Sequence, residues 1–384
     1  MKILIGADLV PTKRNTDLFS EAKSVELLGA PLKALLDSAS YRIFNLETPL
    51  TDNETPIDKC GPCLSAQTST VEGLKDIGVD FFTLANNHIL DQGAEGLFST
   101  MQSLEKAGIA YAGAGKTISE AQRSHVVTVD GKKIGIYCCA EHEFTIATEN
   151  SPGANPYDPL VSFDHVRNLN DKCDFLIVLY HGGKEYCRYP SPGVRKTCQK
   201  FVDCGADIVI CQHTHCIGCE ENYSGKKIVY GQGNFLFDHS EKEEWQTGLL
   251  IECEIENEEV NILYHPIRKL KNKIALADSD DSHRIMEEFY TRSQEILSDE
   301  IWKKRYREFA QNSYSQLLMR ANGNLNRTFA FRVLSRLFGQ KFLNYYLKKC
   351  YNKNALLVLR NTVESESWRE LLIEAINANY TNEQ

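Results

Sequence analysis

Carboxylates, carboxamides and imidazoles recur in this chain just after short apolar runs, a placement that suits the binding of divalent cations. Asp8 follows the run at residues 2–5, and Asn45-Leu46-Glu47 follows 42–44. Asn86-Asn87-His88 follows 81–84, His181-Gly182-Gly183 follows 175–179, and His213-Thr214-His215 follows 208–211. Such a mixture of oxygen and nitrogen donors fits Mn, Fe or Zn, as one ion or two. Each group alone has a plainer reading. An Asp after a strand caps a helix or forms a turn, and Glu47 beside Thr48-Pro49 suits a surface. His181 beside two glycines fits a turn, and Asn86 to Asp91 could cap the helix that starts near Gly93. What argues for a site is the coincidence: ligands gather beyond the carboxyl ends of strands in open α/β sheets, and here five strand ends carry such groups.

Those groups need strands to hold them. Apolar runs rich in β-branched and aromatic residues stand at 2–5, 42–44, 81–84, 134–138, 175–179, 208–211, 228–230, 249–254 and 260–266. Helical patterns at 20–39, 71–77, 93–107 and 192–204 lie between several of them, and the alternation predicts a layered α/β sandwich. The polar stretch 271–282, with Asp278, Asp280 and Asp281, reads as a linker between a domain over 1–270 and a helical region over 283–384. Across the 384 residues, a net charge of −9 argues against general affinity for nucleic acid. No apolar run approaches the ~20 residues of a membrane-spanning helix. The chain opens directly on a strand-like Lys2-Ile3-Leu4-Ile5, without the pattern of an export signal. The expectation is a cytoplasmic protein whose thirteen cysteines are reduced.

Several motifs together resemble the CapA family, the capsule and poly-γ-glutamate synthesis accessory proteins of the metallophosphatase (calcineurin-like) superfamily. They are Gly6-Ala7-Asp8, Asn45-Leu46-Glu47-Thr48-Pro49-Leu50-Thr51, Leu84-Ala85-Asn86-Asn87-His88-Ile89-Leu90-Asp91 and His181-Gly182-Gly183-Lys184-Glu185-Tyr186. Gly205-Ala206-Asp207, His213-Thr214-His215 and Gly233-Asn234-Phe235 complete the set. The resemblance runs from Met1 to about Arg268. It implies a four-layer α/β/β/α sandwich and a metal-dependent hydrolase, acting on a phosphoester or an amide in cell-surface polymer synthesis. The alternative it leaves open is a non-catalytic accessory protein that binds polymer or organises a synthase.

By the same resemblance Asp8 and His215 would bind a first metal, Glu47 would bridge, and Asn87, His181 and His213 would bind a second. His88 would serve as general acid, oriented by Asp91, with Asn45 and Asn234 at the substrate rim. Capsule-synthesis proteins and an anionic small molecule or polymer would be its partners. Two positions depart from the superfamily pattern: Val10 stands where a histidine is usual, and Asn45 with Glu47 replaces an aspartate. The first metal is thereby left short of a ligand.

Other features keep two readings each. Glu185 and Arg188 could line the substrate entrance, with Arg188 holding an anion, or be solvated loop charges. Glu141-His142 follows the run at 134–138, as a rim element or an ordinary loop. Cys60–Cys63 and Cys216–Cys219 have zinc half-site spacing, and could equally be plain thiols. From Arg320 to Val363 there is no acidic residue, while Arg327, Arg332, Arg336, Lys341, Lys348, Lys349, Lys353 and Arg360 accumulate. Leu334, Leu337, Phe338, Phe342 and Tyr345 recur at helical spacing. This basic amphipathic segment suits peripheral contact with a membrane through 320–363, or a helix packed on the rest of the protein.

Overall fold

Apolar residues run without a break over 175–180 of the strand Phe175–His181, as they must in a parallel strand covered on both faces. In the computed structural model, which describes residues 1–256, 259–321, 329–364 and Leu372, they sort by alternation. Phe175, Ile177 and Leu179 belong to one core, and Leu176, Val178 and Tyr180 to another. The adjacent strand Ile208–Gln212 divides likewise, Ile208 and Ile210 on one side, Val209 and Cys211 on the other. One core therefore lies between two sheets, and the other beneath an outer layer of helices.

The larger sheet has the order Lys273–Leu276, Glu259–Leu270, Thr247–Glu256, Lys2–Val10, Tyr41–Leu46, Phe81–Thr83, Ala110–Ala112, and Asn234–Phe237 also pairs with Lys2–Val10. The smaller sheet runs Glu220–Tyr223, Lys226–Tyr230, Ile208–Gln212, Phe175–His181, Lys132–Ala140, His125–Val129. Helices Ala30–Asp37, Val71–Ile77 and Gly93–Ala107 place Leu32, Leu36, Leu74, Ile77, Leu97 and Leu104 in the core shared with the larger sheet. Helices Ser162–Asn170 and Pro192–Asp203 bury Val166, Leu169 and Phe201 on the outer face of the smaller one. The layers are α/β/β/α, as expected.

Register explains why the strand ends converge. Parallel pairing sets Asp8 beside Asn45, and Gln212 beside His181, which in turn pairs with Ala140. Between Ile5↔Ile43 and Asp8↔Asn45 the first strand carries one extra residue. Such a bulge turns the following side chain to a new direction. Gly6 sits in it, and a Cβ there would lie 2.1 Å from Cε1 of Phe44.

Three expectations need correction. The helix read over 20–39 is three short helices, Thr16–Ser20, Ser24–Leu28 and Ala30–Asp37, broken where Ala22 and Gly29 take positive φ of 53° and 72°. Residues 271–282 are no linker: Lys273–Leu276 pairs with Glu259–Leu270, and Asp278 caps the helix Ser279–Glu295, accepting from the Asp281 N–H at 2.9 Å. The acidic cluster marks a helix N-terminus, where carboxylates oppose the helix dipole. The chain divides into compact units Met1–Tyr306 and Arg307–Gln384, so the boundary lies beyond residue 270. Ile285 and Phe289 pack with Ile217 and Leu249, and Trp302 donates to the Pro190 carbonyl at 2.9 Å, which holds this helical stretch in the first unit.

The second unit has a small core of Leu318, Met319, Phe331 and Leu347. Gly339, at φ 56° and ψ −145°, interrupts the helix Phe329–Cys350. The expected apolar stripe is split there: Phe342 packs near Phe331, whereas Leu337 and Phe338 are exposed. Arg327, the side chain of Arg332, and 365–371 and 373–384 lie outside the described residues. Among the described residues no helix is long and apolar enough to cross a membrane.

Candidate metal centre

Burial of a carboxylate is costly unless donors or a cation compensate it. Glu47 is fully buried, and neither of its carboxylate oxygens has a hydrogen-bond partner among the described residues. Oδ2 of the fully buried Asp8 is in the same condition, as is Nδ1 of His213. These atoms face one pocket. Oε1 of Glu47 lies 3.3 Å from Nε2 of His181, and Oδ2 of Asp8 lies 3.4 Å from Nδ1 of His215. Ligand atoms of Glu47, His213 and His215 all fall within 4.8 Å of one another.

Carboxamides orient this cluster. Asn45 donates through Nδ2 to Oδ1 of Asp8 at 2.7 Å and stands 3.2 Å from Nδ1 of His181. Its own Oδ1 accepts from Asn86 Nδ2 at 2.9 Å. Asn87 places Oδ1 at 3.0 Å from Nε2 of His181 and donates through Nδ2 to Glu143 at 3.0 Å. Asn234 Oδ1 lies 2.8 Å from Nδ1 of His215, whose ring stacks on Trp245 at 4.4 Å. His213 and His215 hold the Gln212–Cys216 turn with positive φ of 80° and 51°, a conformation that costs about 1–3 kcal/mol for a residue with a Cβ.

The charges follow from this packing. Burial disfavours ionisation of Asp8, but His215, His181 and Asn45 outweigh it and hold the carboxyl below its usual range. Burial also opposes protonation of His181 and His215. Glu47 and Asp8 overcome it, raising His181 and bringing His215 up to about 9. His213 goes the other way: burial, then the neighbouring His181 and His215, push it well below the ordinary histidine value. Burial raises Glu141, partly countered by the Gly183 N–H.

His88 stands apart as a hydrogen-bonded relay. Its Nδ1 lies 2.5 Å from Oδ2 of Asp91, which leaves Nε2 as the nitrogen free to exchange a proton. Lys59, nearly buried, pairs with Oδ1 of Asp91 and donates to the Asn87 carbonyl at 3.2 Å. Sequence reading passed over Lys59; only the short distance in sequence to Cys60 drew attention to that loop.

The pocket gathers Asp8, Asn45, Glu47, Asn87, His181, His213, His215 and Asn234, with His88 and Asp91 tied to it through Asn86 and Asn87. Asn45 lies at its centre instead of its rim. Arg188 donates to the Ile217 carbonyl at 3.0 Å, and Glu185 bears on the Tyr186 hydroxyl. Val10 packs with Phe237 and Trp245, so an apolar cluster fills the position where a histidine is usual. Glu143 was missed, though it lies two residues past Glu141 at the same strand end. The paired-cysteine zinc site does not form: among the described residues no group of metal-capable atoms includes a cysteine. Cys216 and Cys219 are buried thiols, the former pushed up to about 11 by burial.

Oxygen and nitrogen atoms that are buried, convergent and without donors fit a divalent cation of the Mn, Fe or Zn class. Residues 5–239 match the family described as "Bacterial capsule synthesis protein PGA_cap". The chain is 32% identical to the capsule biosynthesis protein CapA of Bacillus anthracis, over 46% of this chain and 44% of that protein. It is 28% identical to the PGA biosynthesis protein CapA of Bacillus subtilis, over 59% of this chain and 60% of that protein. These matches thus span about half the length of the curated relatives. Among solved structures, a phosphatase of Mycoplasma pneumoniae aligns with 71% of this chain and 94% of its own, at 16% identity and a TM-score of 0.45.

Proposed function

The chain belongs to the bacterial capsule synthesis protein family PGA_cap, and from that premise we propose that it is a metal-dependent hydrolase of a phosphoester or an amide in cell-surface polymer synthesis. One observation carries the reading: the wholly buried Glu47, neither of whose oxygens has a hydrogen-bond partner among the described residues, lies close to His181, His213 and His215. Asp8, Glu47 and His215 would hold one ion and Asn87, His181 and His213 another. Bound there, such ions lower the pKa of water and offset negative charge at the reacting centre.

The remaining work falls to the chain's own groups. Asp91 holds Nδ1 of His88, so Nε2 can deliver a proton to a leaving oxygen or nitrogen. Lys59 fixes Asp91 through its other carboxylate oxygen while standing 3.3 Å from Nδ1 of His88, and the Asn45–Asn86 pair sets the direction of Asp8. The test is metal analysis together with a panel of phosphoesters and γ-glutamyl amides. Turnover that needs the bound metal and falls about 10²–10⁴-fold in His88→Ala supports the proposal. Inactivity of the correctly folded, metal-loaded protein on every substrate rejects it.

A second reading has its own observation. Val10, Phe237 and Trp245 close one side of the pocket with apolar surface, which suits an accessory protein that binds polymer without cleaving it. Polymer binding that survives His88→Ala, with no turnover, would select this reading.

A further inference from the structure

Resting on the reading of the pocket as a metal centre, we propose that Glu141 and Glu143 hold a divalent cation jointly with His213, outside the ligand set that the resemblance implies. Both glutamates follow the strand Lys132–Ala140, whose Ala140 pairs with His181 in register. They thus emerge at the same end of the smaller sheet as His181 and the His213 turn.

Each carboxylate is held by one oxygen and leaves the other free. Oε2 of Glu141 accepts the Gly183 N–H at 3.1 Å, and Oε2 of Glu143 accepts Nδ2 of Asn87 at 3.0 Å. The free oxygens face one imidazole nitrogen: Nε2 of His213 is 3.6 Å from Oε1 of Glu141 and 4.0 Å from Oε1 of Glu143. These gaps are too wide for hydrogen bonds. They are close to the spacing of two ligands that share an ion at about 2.0–2.2 Å, and all three ligand atoms lie within 4.8 Å. His213 supplies the independent sign of a ligand: its side chain is buried, neither ring nitrogen has a hydrogen bond among the described residues, and Nε2 is the atom aimed at the two carboxylates.

The orienting contacts match what metal sites use around their ligands, where a second hydrogen bond fixes the direction of the binding atom. Asn87 is central to this, since its Oδ1 reaches His181 while its Nδ2 holds Glu143. Two carboxylates with one imidazole make an oxygen-rich set, better suited to Mn or Fe than to ions that favour thiolate.

Equilibrium dialysis of the full chain, stripped with EDTA and reloaded with Mn²⁺, tests this by counting ions per chain. Glu141→Gln/Glu143→Gln should lose one equivalent, or bind one of them at least 10-fold more weakly, with an unchanged melting temperature in EDTA. Wild-type stoichiometry and affinity in that variant overturn the inference, while loss of Mn²⁺ in Glu47→Gln under the same conditions leaves the metal centre standing. A wild-type protein that takes up no ion from Mn²⁺, Fe²⁺ or Zn²⁺ rejects both. Should the double variant fold poorly, Glu143→Gln alone, which alters a partly exposed side chain, must still weaken one site for the inference to hold.

Discussion

Replacing Glu47 with glutamine keeps the side chain's shape and removes the carboxylate on which the metal centre depends. In the wild-type protein, an ion present at one hundred times its dissociation constant stabilises the fold by about 2.7 kcal/mol. Unfolding entropy of about 2.1 cal/mol/K per residue, over a first unit of residues 1–306, amounts to about 0.6 kcal/mol/K. Each bound ion should therefore raise the melting temperature by about 4 °C. Glu47 lies within reach of His181, His213 and His215, so its loss should weaken binding about 100-fold or more. At the same metal concentration the gain then shrinks to about 0.4 kcal/mol, less than about 1 °C.

Calorimetry of EDTA-treated protein with and without Mn²⁺ measures both values. Mn²⁺ is the probe of choice because zinc would also bind the thirteen cysteines of the unfolded chain. A shift in Glu47→Gln equal to that of wild type would refute the role of this residue. No shift in wild type with any of the three metals would remove the metal centre altogether.

Acidity and packing give two further checks. Glu47 and Asp8, overcoming burial, hold the pKa of His215 at about 9 in the metal-free protein, above its ordinary 6.5. This group thus stabilises the fold below pH 6.5 and ceases to do so as pH rises through 9, a loss of at most about 3 kcal/mol. The melting temperature in EDTA should fall over that window, and a flat or rising profile contradicts the arrangement. Gly6→Ala would drive a methyl into the buried Phe44 ring and should cost about 1–3 kcal/mol in urea titration. An unchanged midpoint would mean that the bulge before Asp8 is not tightly packed.

Much of the fold was legible because its strands are covered on both faces. Runs such as 175–179 and 208–211 read as strands from apolarity alone, and 71–77 and 93–107 coincide with their helices. Strands with weak patterns were lost. His125–Val129 alternates exposed and buried residues at a sheet edge, and Asn234–Phe237 is too short to stand out beside its glycines.

The pocket was legible at the strand ends, since parallel register sets Asp8 beside Asn45 in one sheet and His181 beside Gln212 in the other. Glu143 and Lys59 were not, because both sit in loops whose approach depends on tertiary packing. The break in the C-terminal apolar stripe was not legible, for a local reason: Gly339 fits a helical period in sequence but leaves helical angles in space.

The histidine turn has a bearing on durability. His213 and His215 adopt backbone angles that glycine or asparagine would take more easily, and they do so beside the buried Glu47, whose oxygens have no hydrogen-bond partner among the described residues. A sequence optimised for robustness alone would relax that turn and fill the cavity with aliphatic groups, since strained sites of this kind trade stability for activity. Selection for heat tolerance without selection for the chemistry would therefore erode this corner of the molecule first. Stabilising substitutions that leave the turn untouched belong in the outer helical layers, well away from it.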